Sequence, residues 1–206
     1  MRRGMISITA SVVCAVALTA VTSAGAEVGN PPTNDYKRCD RYSNPCGDPV
    51  IVAEGRQYGG PREVVGMSRN LGACLSFERP DKPFGLLTFP CDERVDPRPK
   101  EPLRVELILS VNAPEGKWTE VGGVLHPGVA RVQAVFRRGR RLRRKDAITS
   151  QLDRELSRAI GFERRVGVFD LGVAGHPLRP GRHRRFRLKT YDADGQLLGV
   201  KRSPFG

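Results

Sequence analysis

Between residues 50 and 201 the chain is a series of short apolar runs cut by Gly, Pro, Asn and Asp, and three of the runs alternate. Residues 184–191 set Phe186, Leu188 and Thr190 against Arg185, Arg187 and Lys189. Residues 104–111 set Val105, Leu107, Leu109 and Val111 against Arg104, Glu106 and Ser110. Residues 129–136 set Val132, Ala134 and Phe136 against Arg131 and Gln133. Successive side chains of a strand point to opposite faces, so each run predicts a strand with one buried side. Gly and Pro together make 39 of the 206 residues and are spread along the chain, which predicts many short elements joined by turns.

Further strands are expected at residues 50–53, 64–67, 71–77, 84–89, 118–125, 165–173 and 196–201, nine or ten in all. Residues 140–145 are expected as a charged edge strand, since basic side chains discourage edge pairing. Asp192-Ala193-Asp194-Gly195 predicts the turn of a terminal hairpin. The alternative, a calcium loop, lacks its later ligands. One helix is predicted over 151–160, capped by Ser150 and closed by Gly161, with a stripe of Leu152, Leu156 and Ile160. The fold expected is mainly β. An Ig-like antiparallel β-sandwich with one short helix occupies 113–206, and a disulfide-stapled β-hairpin region at 49–112 precedes it.

Residues 1–26 predict a secretory signal peptide. Arg2 and Arg3 form a basic start, residues 5–22 carry no charge, and Ala24-Gly25-Ala26 is a small-x-small cleavage site. The apolar stretch is short for a bilayer span, and no later segment could cross a membrane after its removal. The expected destination is extracellular or cell-envelope associated. Residues 27–48 are then a polar, extended lead-in.

Cys14 leaves with the signal; Cys39, Cys46, Cys74 and Cys91 remain. An even count in an oxidising compartment predicts two disulfides, with three connectivities open. If residues 71–77 and 84–91 form one hairpin in a register summing to 165, Cys74 stands opposite Cys91. Directly opposed Cα atoms about 4.5 Å apart can be bridged, which leaves Cys39 for Cys46. The spacing does not suit zinc, whose sites favour closer cysteine pairs. No metal and no cofactor are expected.

Catalytic signals are weak. His126 and His176 each precede proline, His183 lies in a basic segment, and no G-x-S-x-G nucleophile turn is present. No catalytic residue is assigned. The alternative of a small extracellular hydrolase would need His126 or His176 in a cleft beside a carboxylate such as Asp170.

Charge is unevenly placed. Residues 27–130 carry 13 basic and 15 acidic side chains, and residues 131–206 carry 20 and seven. Arg137, Arg138, Arg140, Arg141, Arg143, Arg144 and Lys145 form one cluster; Arg182, Arg184, Arg185, Arg187 and Lys189 form a second. On one sheet face they would make a continuous positive surface, and arginine's planar fork suits phosphate and carboxylate. Without interleaved aromatics, base stacking and sequence-specific nucleic-acid binding are not expected. The expected partner is a cell-wall or other extracellular polyanion, bound by a non-enzymatic protein. A third class, a purely structural or interaction domain, would show an exposed apolar face.

The segments VGGVLHPGVARVQAVFRRGR, GVFDLG and RLKTYDADGQLLG, with GACLSF upstream, resemble a pattern in uncharacterised secreted proteins of actinobacteria. The resemblance loosely spans residues 50–201. It implies an Ig-like sandwich and export, and no activity. The polybasic insert stands where that pattern has a plain hairpin.

Overall fold

The computed structural model describes residues 29, 47–57, 60–69, 72–79, 87–88, 101–113, 116–138, 140–175 and 186–202. The expected signal peptide, Cys39, Cys46, Cys91, His176, His183, Arg182, Arg184 and Arg185 lie outside these residues. The described residues form twelve strands and one helix, all strand pairs antiparallel, in three four-stranded sheets.

Sheet A holds β1 (Val50–Gln57), β2 (Gly60–Arg69), β3 (Gly72–Glu78) and β4 (Leu87–Thr88) in that order. Sheet B runs β5 (Leu103–Ala113), β6 (Gly116–Leu125), β10 (Gly167–Ala174), β9 (Ile148–Gln151). Sheet C runs β12 (Leu197–Lys201), β11 (Arg187–Tyr191), β7 (Arg131–Arg138), β8 (Arg141–Asp146).

Two cores meet at sheet B. Toward sheet C, Val121, Leu125, Phe169, Leu171 and Val173 pack with Val132, Ala134, Phe136, Phe186 and Leu188. Toward sheet A, Val124 and Val168 pack with Val52, Ala53, Val64, Leu75 and Phe77, together with Leu152, Ile160, Phe162 and Val166. Sheet B is therefore the middle layer of three. Its central strands β6 and β10 are buried over residues 118–125 and 167–173, because a strand covered on both faces has no solvent side to make polar. Phe77 packs so closely on β6 that a Cβ added to Gly122 would collide with its ring. That contact requires glycine.

The region boundary expected at residue 112 falls at the end of β5. That strand pairs along its length with β6 across the boundary, and the core between sheets A and B takes side chains from both regions. A bulge between Val105 and Leu107 also interrupts the alternation expected there.

The helix α1 spans Arg154–Ala159, shorter than the expected 151–160. Its cap is Asp153, whose Oδ1 accepts the Leu156 N–H at 2.7 Å. Ser150 instead sits in β9 opposite Val168, and the Leu152 N–H donates to the Val166 carbonyl. Strand pairing with β10 captures the residues read as the first turn. Leu152 and Ile160 are fully buried, whereas Leu156 is only partly buried. The large packing loss therefore belongs to Ile160, which fills the space over Gly66. Ile160→Ala should destabilise the fold by about 2–5 kcal/mol, and Leu156→Ala by less, measured by urea unfolding.

The β3–β4 register pairs Ser76 with Thr88 and Phe77 with Leu87, a sum of 164 and not the expected 165. A slip of one residue exchanges the faces of a strand, so direct opposition of Cys74 and Cys91 does not follow from this pairing. Cys74 is buried opposite Met67. The terminal hairpin forms as expected. Gly195 takes the left-handed conformation at φ 79°, and the Asp192 carboxylate accepts the Gln196 N–H at 2.7 Å, so it serves the turn.

Candidate polyanion-binding face

β8 and β11 flank β7 on either side, which brings Arg187 and Lys189 of the second basic segment into one sheet with the first. Phe186, Leu188, Val132, Ala134 and Phe136 point into the core, so their neighbours form the outer face. On that face Arg187 and Arg144 stand on either side of Val135, Lys189 stands beside Gln133, and Arg131 beside Tyr191. Arg137 lies across from Leu142 at one end. Five cations thus share one face over three strands, with Asp146 the acid among them.

Asp146 offsets little of this charge. Arg131 Nε lies 3.8 Å away with both side chains about half exposed, and Gln133 donates to it at 2.9 Å. The Arg131 guanidinium also stacks on Tyr191 at 4.3 Å, which holds it flat against the sheet.

The polybasic run is not on one face. β8 alternates, so Arg141, Arg143 and Lys145 fall on the side opposite Leu142 and Arg144. Arg140 occupies the exposed turn. Arg137, Arg140, Arg141, Arg143 and Arg144 all reach solvent, while Lys145 is half-buried. Burial lowers the Lys145 pKa, partly opposed by the negative charge of Asp170. Lys145 thus differs from the exposed arginines of the run, and other charges lie deeper, between sheets A and B.

Those interior charges were not anticipated. Arg62 on β2 forms ion pairs with Glu120 on β6 and, at 3.0 Å through Nε, with Asp170 on β10. All three are at most 1% exposed. Register puts Glu120 opposite Gly172 and Asp170 opposite Gly122, so both carboxylates face sheet A. Arg62 and Arg79 each approach the buried Trp118 ring, at 5.2 and 5.3 Å. The cluster pins the two sheets together at one end of their shared core.

Asp170 is therefore engaged with Arg62. His126 sits in an exposed turn, its Nδ1 accepting the Gly128 N–H at 3.2 Å and its carbonyl accepting the Val129 N–H at 2.9 Å. Among the described residues no group of His, Cys, Asp and Glu has the arrangement to hold a metal.

Burial raises the Asp170 pKa, and Arg62 only partly offsets it. A carboxyl whose native pKa exceeds its unfolded one binds more protons when folded. Its contribution is present below the unfolded pKa of about 4 and is lost as pH rises through the native value. Asp170→Asn removes that titration. The stability of Asp170→Asn relative to wild type should rise as pH increases from about 4 toward neutrality, measured by urea unfolding across pH. A constant difference would contradict the raised pKa.

The chain matches no family model, no curated protein and no solved structure. No helix among the described residues is long and apolar enough to cross a membrane.

Proposed function

We propose that this chain is a secreted, non-enzymatic β protein that associates with anionic polymers of the cell envelope through the outer face of sheet C. The observation that carries the reading is the alignment of Arg131, Arg137, Arg144, Arg187 and Lys189 on one face, with a single weakly held acid among them. Five guanidinium and ammonium groups on neighbouring strands offer phosphate or carboxylate repeats a charge-matched surface with little else to bind internally. Export follows from the predicted leader at residues 1–26. The proposed pairing is Cys74 with Cys91, which would staple the β-hairpin region, and Cys39 with Cys46, which would tie a small loop in the lead-in. The Ig-like reading applies to residues 113–206, whose described strands fall in sheets B and C.

Retention on a phosphate-polymer column tests the binding. The chain should be held at low salt and released by a rising salt gradient, because binding releases counterions. Passage through the column at low salt would remove this function. Non-reducing peptide mapping tests the staples: Cys46 joined to Cys74, or four free thiols, would refute the pairing.

A further inference from the structure

We propose that the outer face of sheet C is an amphipathic surface for anionic lipid, its cations meeting headgroup phosphates and Leu197, Leu198 and Val200 entering the headgroup–acyl boundary. This rests on the anion-binding reading above and narrows it to a lipid surface.

Among the described residues, the large apolar side chains that stand in solvent are Leu142 at 55%, Leu197 at 52%, Leu198 at 46% and Val200 at 41%. All four belong to the two edge strands of sheet C. Single exposed leucines are ordinary, but this set coincides with the cationic face. Register places Leu197 across from Tyr191, on which Arg131 stacks, Val200 across from Lys189, and Leu142 across from Arg137. Leu142, Leu197 and Val200 thus each border a cation or the ring that carries one, and Leu198 falls at the register shift beside Leu197. The inner side of β12 is already occupied, since a Cβ on Gly199 would lie 2.8 Å from the Pro102 ring and Lys201 pairs with Glu101 at 3.8 Å.

A soluble polyanion would engage the cations and leave three apolar side chains on β12 in water. Edge strands are ordinarily defended by charge, as β8 is, and β12 breaks that rule. An anionic bilayer satisfies both features, because its headgroups attract the cations and its boundary accepts the apolar side chains. Pairing β12 with β12 of a second copy would cover the leucines too. It would also join two cationic faces into one sheet, which like charges oppose.

Hydrogen exchange on the full chain reads this face directly, whatever else in the chain touches lipid. The additions are phosphatidylcholine vesicles, the same vesicles with about one quarter phosphatidylglycerol, and inorganic polyphosphate. Phosphatidylglycerol vesicles should protect β11 and β12, and phosphatidylcholine alone should not. Changing Leu197, Leu198 and Val200 together to Ser should weaken the vesicle effect by about tenfold or more while leaving polyphosphate affinity within about twofold. Protection by polyphosphate but not by vesicles would overturn the lipid proposal and leave the anion-binding reading standing. Protection by neither would remove both. An unchanged vesicle effect in the triple Ser variant, or β12 protected without additions in a sedimenting dimer, would also overturn the lipid proposal.

Discussion

Arg62→Met is expected to destabilise the protein by about 3–5 kcal/mol at neutral pH, measured by urea unfolding. Arg62 brings the counter-charge for Glu120 and Asp170, and all three are at most 1% exposed. Removing it leaves two carboxylates in the core between sheets A and B, where neither reaches water. Its cation–π contact with Trp118 is lost as well. The loss should shrink toward acid pH, where the stranded Asp170 carboxyl, its pKa already raised by burial, takes up a proton. Adding Glu120→Leu and Asp170→Leu to Arg62→Met should recover much of the loss, since a buried ion cluster is often no more stabilising than an apolar replacement. A single variant within about 1 kcal/mol of wild type would contradict this view of the cluster.

Changing Arg137, Arg144, Arg187 and Lys189 together to Gln is expected to lower affinity for inorganic polyphosphate on the order of 100-fold or more at about 50 mM salt. Stability should change little, because Arg137, Arg144 and Arg187 are exposed and Lys189 half-exposed on an outer face. Changing Arg141 and Arg143 to Gln should have a smaller effect, since register places them on the other side of β8. Were the run at residues 137–145 acting only as a flexible charge cluster, removal of Arg141 and Arg143 would matter as much as removal of any other pair. The comparison separates an ordered face from mere local charge density.

Much of the strand pattern was legible because it is written in period two. The run from Phe186 to Tyr191 leaves one side open, and that from Arg131 to Arg137 does so except at the buried Val135, so their alternation placed them. The layering was not legible. β6 and β10 are buried on both sides, so their sequences carry no alternation to say which sheet covers which face. The start of the helix was misplaced because Ser150 is a good cap by composition, yet β9 has a stronger claim on it through pairing with β10. The β3–β4 register slipped because nothing local fixed it to the residue.

The basic face was half legible. Composition located the arginines, but a run of seven cations within nine residues hides its own alternation, and only the partner strands show which ones share a side. The buried cluster left a faint signal. Asp170 interrupts an otherwise apolar strand, Glu120 directly precedes the apolar run of β6, and Arg62 stands just before the valines of β2. One cation and two acids in such positions can be buried only if they meet.

The salt dependence of polyphosphate binding tests the cationic face most directly, measured in parallel on wild type and on the Arg137, Arg144, Arg187 and Lys189 to Gln variant. Each phosphate contact adds about 0.7–0.9 to the slope of log K against log salt. The variant should therefore lose roughly three units of slope, along with its affinity. Equal slopes in the two proteins would show that these four residues do not touch the polymer, and would contradict the outer face of sheet C as the binding surface.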